Sequence, residues 1–259
     1  MSCSDRSSCA AAGRIAAFQR LRVEDDAAAV IARIVDDLTR ADMSMDLAVF
    51  PECHLLGHSY DPATIAARAI DVEDDRWRAI LAPLAPVATT VILGSFERRA
   101  DGVTNSAFVI ERGRVVGRYA KRHPNEPGVV AGRTSPVFER DGVRYGINIC
   151  NDANHPDAAR SLADQGARVI CYPLDNMLSP DTAARWRSRS VENLRARAVQ
   201  TGCWIVSADV TGSCGARLSH GCTMIVRPDG TIAARVAEGV EGVAIYDVPR
   251  PGLPFARDR

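Results

Sequence analysis

Lysine is almost missing from this chain: of 32 basic residues, Lys121 alone is not arginine. A composition so biased leaves a surface charge little reason to stay lysine. A position that resists the bias is a candidate for chemistry a guanidinium cannot do, because an ammonium is a compact point charge and not a planar fork. Aromatic residues are also scarce, at 5%, and the formal net charge is zero. Neither a stacking platform nor a global field is there to favour nucleic acid or an anionic membrane. No apolar run approaches the roughly 20 residues that span a bilayer. The first 13 residues lack the apolar core of a secretory signal. Cys-x-x-Cys is absent although the chain has eight cysteines, so zinc-ligand spacing is missing. Several cysteines lie in apolar runs, as in Ile170-Cys171 and Cys203-Trp204-Ile205, which suits buried reduced thiols in a cytoplasmic protein. Small-hydrophobe packing accounts for all but one of them.

What is present reads as alternating strands and helices. Residues 1–12 read as a disordered start, and 13–259 as a single domain with no linker or low-complexity stretch. Strand patterns cover Arg14–Leu21, Leu47–Phe50, Thr90–Arg98, Asn105–Glu111 and Arg114–Tyr119. Glu24–Ala41 carries a helical stripe of Val30, Ile31, Ile34, Val35 and Leu38. Further helical segments run from about Ala63 to Ala88, interrupted by Pro83 and Pro86. The second half repeats this logic: a hairpin of Ser135–Arg140 and Val143–Ile149, a helix at His155–Gln165 and a strand at Arg168–Tyr172. A long helix, Asp181–Thr201, comes next, and strands at Cys203–Ala208, Thr223–Arg227, Thr231–Arg235 and Val243–Val248 close the series. Strands in runs between helices predict an α/β fold of two mixed sheets packed face to face with helices outside.

Three chemically active residues each sit just past an apolar strand: Glu52 after Leu47–Phe50, Lys121 after Val115–Tyr119, and Cys150 after Val143–Ile149. Strands ending at a common edge can bring such residues together. Carboxylate, ammonium and thiol form a set for nucleophilic catalysis. The thiol attacks, the carboxylate takes its proton and the ammonium stabilises the charge that develops. A strand-end surface charge is the ordinary reading of Glu52 alone, and a core thiol that of Cys150 alone. The three in this order favour catalysis.

The motifs around them carry a resemblance. Val49-Phe50-Pro51-Glu52, Tyr119-Ala120-Lys121-Arg122-His123 and Gly146-Ile147-Asn148-Ile149-Cys150-Asn151-Asp152 are similar to the three signature segments of the nitrilase superfamily of carbon–nitrogen hydrolases. The similarity runs from about Arg14 to Val248. It implies a four-layer α-β-β-α sandwich, pairing into a homodimer, and a mechanism that needs no cofactor and no metal. Glu52 would be the general base and Cys150 the nucleophile. Lys121 and the backbone N–H of Asn151 would hold the oxyanion, and Glu126 is the local candidate for a second carboxylate. The implied reaction is hydrolysis of a small linear amide or carbamoyl compound through a thioester. Nitrile hydrolysis by the same triad and a catalytically idle binding protein are the alternatives.

Other residues are read more simply. His54 and His58 stand one helical turn apart, but their span looks like a loop and no third metal ligand is evident. They are expected to line the substrate mouth with Tyr60. Asn125, Asn154, Asp175 and Asn176 are further substrate-binding candidates, and their polarity points to a small polar substrate. The arginines of the long helix are balanced by Asp181 and Glu192, so they read as a solvated face, ion pairs or a dimer interface and not as a nucleic-acid site.

Overall fold

In the first strand, Ile15 and Ala17 point one way while Ala16 and Phe18 point the other, and all four are buried. A strand buried on both faces must be covered twice, and this alternation builds the layers. The structure, a computed structural model, describes residues 12–39 and 44–249. In chain order it runs β1 (Ala12–Leu21), α1 (Ala27–Thr39), β2 (Leu47–Val49), α2 (Pro62–Arg68) and α3 (Asp75–Leu81). The chain continues as β3 (Thr90–Arg99), β4 (Gly102–Glu111), β5 (Arg114–Ala120), β6 (Val137–Arg140), β7 (Val143–Ile147) and α4 (Pro156–Asp164). It then forms β8 (Val169–Pro173), α5 (Pro180–Thr201), β9 (Trp204–Ala208), β10 (Val210–Cys214) and β11 (Arg217–Ser219). It closes with β12 (Met224–Val226), β13 (Ile232–Arg235) and β14 (Gly242–Pro249).

One sheet has the order β11-β10-β1-β2-β3-β4-β5, with β14 also paired to β1; the other has β13-β12-β9-β8-β7-β6. Both are mixed. In the first, β1, β2 and β3 are parallel neighbours, β10 is parallel to the end of β1, and β14 and β4 are antiparallel to β1 and β3. In the second, β7, β8 and β9 are the parallel centre. Ile15, Val49 and Val109 of one sheet pack with Ile147, Cys171 and Val206 of the other in a core between them. The outer face of the first sheet, including Phe18 and Val91, is covered by Val30, Ile31 and Ile34 of α1 and Trp77 of α3. Ile170 and Ile205 of the second pack under Leu162 of α4 and Leu194 of α5. The order is helix, sheet, sheet, helix, which is the expected four-layer sandwich. Among the described residues no helix is long and apolar enough to cross a membrane.

Local chemistry moves several boundaries. Helix α1 begins at Ala27, not Glu24, because Asp25 takes a left-handed φ of 57° and Asp26 accepts the Ala29 N–H at 3.0 Å as an N-cap. The expected end of that helix at Ala41 and the expected disordered start lie outside the described residues, apart from Ala12, the first residue of β1. The β10–β11 hairpin has no counterpart in the sequence reading. Its strands carry Thr211, Gly212, Ser213 and Ser219, with no apolar alternation, and are held by pairing with the end of β1 and with each other. Helix α5 stops as expected, at Gly202 with φ 66°, a left-handed C-cap.

Candidate active site

Glu52 is carried into the interior by the turn that follows β2. Its N–H donates to the Leu174 carbonyl at 3.1 Å, tying the first sheet to the end of β8. The turn presses against β3, where a Cβ on Gly94 would stand 2.6 Å from the Cys53 nitrogen, so only glycine admits it. Lys121 follows β5, and its N–H donates to the Asn105 carbonyl on β4 at 2.8 Å. Its own carbonyl accepts the Gly132 N–H at 2.8 Å. Gly132 lies so close to the end of β5 that a Cβ would meet the Ala120 carbonyl oxygen at 2.1 Å.

The side chains converge in a closed polar knot. Lys121 Nζ donates at 2.8 Å to Glu52 Oε1 and at 2.8 Å to Glu126 Oε1. The Asn105 amide donates to the same two oxygens, at 2.7 Å each. His58 Nε2 lies 2.9 Å from Glu126 Oε1, and the Asn125 N–H donates to Glu126 Oε2 at 2.9 Å. Glu52, Lys121 and Glu126 are all nearly inaccessible to solvent. Burial alone would drive the ammonium towards neutrality, but Glu52, Cys150 and Glu126 outweigh it and hold the Lys121 pKa well above its ordinary value. Burial likewise pushes Glu126 up, and the hydrogen bond from His58 with the charge of Lys121 reverses that, leaving it well below the usual carboxylate range.

Cys150 comes from the second sheet. After β7 the chain turns sharply into a 3₁₀ segment, Cys150–Asn154, and Cys150 takes a φ of 40°. A left-handed non-glycine residue costs on the order of 1–3 kcal/mol and persists only where its surroundings enforce it. Here the buried Asp152 does so. It accepts the Ile149 N–H at 2.9 Å, the Tyr119 hydroxyl at 2.8 Å and the His123 N–H at 2.9 Å. One carboxylate therefore fixes the elbow and ties it to the strand that leads to Lys121. Burial and the charge of Glu52 push the Cys150 thiol well above its ordinary pKa, against the opposing pull of Lys121 and the Asp175 N–H. The thiol thus lies within the fields of both the carboxylate and the ammonium.

Cys150 opens on a cavity of about 240 Å³. The structure places Tyr60, Asn125, Asn151, Asn154, Asp175 and Asn176 on its wall. His54 and His58 are not on that wall, which corrects their expected place at the mouth. His58 is buried behind Glu126, its ring edge-on to Tyr60 at 4.9 Å. His54 is buried against Phe50, and burial with the nearby Arg20 charge pushes it down to about 3, so it is neutral. The sequence reading missed Asn105, which looked like any strand residue, and Trp186, Ser190 and Asn193, which bring α5 into the cavity wall. No spacing rule marks them.

Among the described residues two groups could hold a metal ion. Glu52, His58 and Glu126 offer ligand atoms within 4.8 Å of one another, as do His123, His155 and Asp157. In the first, the Lys121 ammonium already stands between the carboxylates as their cation. In the second, the two imidazoles stack at 3.7 Å, and Arg122 lies 3.6 Å from Asp157. Each of the six described cysteines is a free thiol.

Comparison with known proteins places these features in a family. A model described as carbon-nitrogen hydrolase matches residues 14–257. A Pseudomonas protegens protein named "Hydrolase in pqqF 5′region" is 31% identical over 194 residues, covering 72% of this chain and 66% of that one. Deaminated glutathione amidase of Mus musculus is 30% identical over 194 residues, 64% of this chain and 53% of that protein. The match thus spans about two thirds and about half of the lengths of these curated relatives. The crystal structure of an amidase from Nesterenkonia sp. shares the fold, with a TM-score of 0.77 at 23% identity over 93% of this chain and 92% of that one. A family match that runs from β1 past β14, on a sandwich of this order, makes the assignment: the chain belongs to the carbon–nitrogen hydrolase family.

Proposed function

We propose that this protein hydrolyses a non-peptide carbon–nitrogen bond in a small linear amide or carbamoyl compound, releasing ammonia or an amine. The observation that carries the reading is the buried contact of Lys121 with both Glu52 and Glu126, at 2.8 Å each, joined through Asn125 to a cavity that Cys150 also lines. Because the resting thiol is held protonated, it needs a base at the moment of attack, and Glu52 is the carboxylate that acts on it most strongly. As Cys150 Sγ bonds to the carbonyl carbon, Glu52 takes the thiol proton. The oxygen that becomes negative is held by Lys121 and by the Asn151 N–H, one residue past the elbow. The C–N bond then breaks as Glu52 returns the proton to nitrogen, leaving a thioester on Cys150. Water attacks the thioester, Glu52 takes its proton, and the acid leaves as the thiol is restored. Glu126 remains ionised throughout and positions Lys121, whose charge never needs to leave.

Ammonia release from short aliphatic amides tests this. Cys150→Ala and Glu52→Gln are each expected to lose at least about a thousandfold in kcat. Lys121→Arg keeps the charge but forces a wide planar head into a space built for a point. It is expected to lose about a hundredfold or more, the size of one lost oxyanion donor. Undiminished release by Cys150→Ala would remove the thiol from the reaction.

A further inference from the structure

The wall of the cavity is uneven in its chemistry. On the α5 side Trp186 and Leu194 join Leu174, Leu178 and Ala153 in an apolar face. The rest of the wall includes neutral amides that largely hold one another. Asn193 donates to Asn154, Asn154 to Asn151, and Asn151 to the His123 carbonyl. Asn176 donates through its backbone and side chain to the buried Asp209.

The charges are the telling part. Among the described residues that line the cavity none is basic, and Asp175 is the one that is acidic. Asp175 is 6% exposed, and its Oδ2 has no hydrogen-bond donor, only the Arg22 guanidinium at 3.3 Å. That guanidinium is shared with Glu24, 3.6 Å away. Glu52 and Glu126 divide the single Lys121 charge between them. Arg189 over Trp186 and Arg217 over Tyr60 are exposed residues at the rim, at 5.2 and 5.4 Å from the ring centres, where water and salt weaken their reach.

A substrate carboxylate entering this space would lose its water, find no basic residue on the described wall and only the shared Lys121 charge near the reacting centre, and stand near a second carboxylate. Resting on the hydrolytic reading above, we propose that the cavity selects amides that carry no carboxylate, with a short apolar acyl group lying against Trp186, Leu178 and Leu194. A neutral acyl chain loses nothing on desolvation there and gains contact with the apolar wall.

Matched reagents separate this claim from the hydrolytic one. Iodoacetamide and iodoacetate differ by an amide for a carboxylate and both alkylate thiols, so their relative rates at Cys150 report charge selection without any turnover. Peptide mass spectrometry would follow modification of Cys150, with the rate ratio normalised to that of 2-mercaptoethanol. The expected result is a preference for iodoacetamide of about tenfold or more. A normalised ratio near one, or below it, would overturn the proposal. Ser190→Arg, which puts a cation on the wall, is expected to shrink the preference; if that variant does not fold, the wild-type ratio decides alone. Butyramide and succinamate form the matching substrate pair, with kcat/KM expected to be about tenfold or more higher for butyramide. Equal or better hydrolysis of succinamate would defeat the selection and leave the hydrolase reading intact. A strong iodoacetamide preference with neither amide hydrolysed would do the reverse.

Discussion

Asn105 carries no charge and breaks no bond, yet two buried carboxylates depend on it. Its amide donates to the same oxygens of Glu52 and Glu126 that accept from Lys121, so the lysine has a neutral partner in holding them. Removing a donor from a buried, charged acceptor costs about 1–3 kcal/mol. Asn105→Ala is therefore expected to lower the melting temperature by several degrees and kcat by about ten- to a hundredfold. Asn105→Asp should be worse on both counts, because it adds a third carboxylate to one ammonium. Thermal unfolding and ammonia release would measure the two effects, and an unchanged kcat in Asn105→Ala would detach this residue from the reaction. Lys121 stood out in the sequence because the chain has so little lysine, and Glu52 and Cys150 because each ends an apolar strand. Asn105 could not stand out. Its importance lies in which strands lie side by side, and nothing in the order of residues shows that Asn105 faces Glu52, 53 positions away.

The elements that present these groups are as demanding as the groups themselves. Cys53 and Cys150 both sit at left-handed φ, 47° and 40°, each beside a turn that delivers a reactive side chain. Gly94 on β3 makes the first turn possible by leaving room for the Cys53 nitrogen. Gly94→Ala should push the turn back, costing about 1–3 kcal/mol of stability as an overpacked site does and lowering kcat by about tenfold or more through the shift of Glu52. Denaturant unfolding and ammonia-release kinetics on the one variant check both, and a loss of stability with kcat intact would show that Glu52 does not depend on this packing. Helix α1 and the strands of both sheet centres were legible because their apolar spacing matches their period. The β10–β11 hairpin was not. Its strands are polar and glycine-containing, so what makes them strands is pairing with β1, a long-range contact that leaves no local pattern.

Taken whole, the molecule encloses an acid at the seam between its sheets. Asp209 is fully buried, accepts two hydrogen bonds from Asn176, and faces the charge of Asp175. Burial raises its pKa from 3.8 to about 7, against the Asn176 donors. A carboxyl whose folded pKa is raised contributes stability that is complete below about pH 4 and is lost as pH rises through about 7. Asp209→Asn should abolish that slope. It is expected to be more stable than the parent at pH 8 by up to about 4 kcal/mol, and by under about 2 kcal/mol at pH 5. Urea unfolding at the two values measures this, and a difference independent of pH would refute it. Family and layer order were legible from the three motifs and the strand-helix alternation. The asymmetry of the cavity was not, because α5 reaches it through Trp186, Ser190 and Asn193, whose spacing fits any solvated helix face. The central claim is that two sheets bring one thiol, one carboxylate and one ammonium together to form and break an acyl–sulfur bond. Intact-mass spectrometry of the protein, acid-quenched while it turns over butyramide, tests that most directly. The account predicts a mass gain of one butyryl group, mapped to Cys150 and missing from Glu52→Gln. Hydrolysis with no acyl group on Cys150, or with one on another thiol such as Cys53, would contradict it.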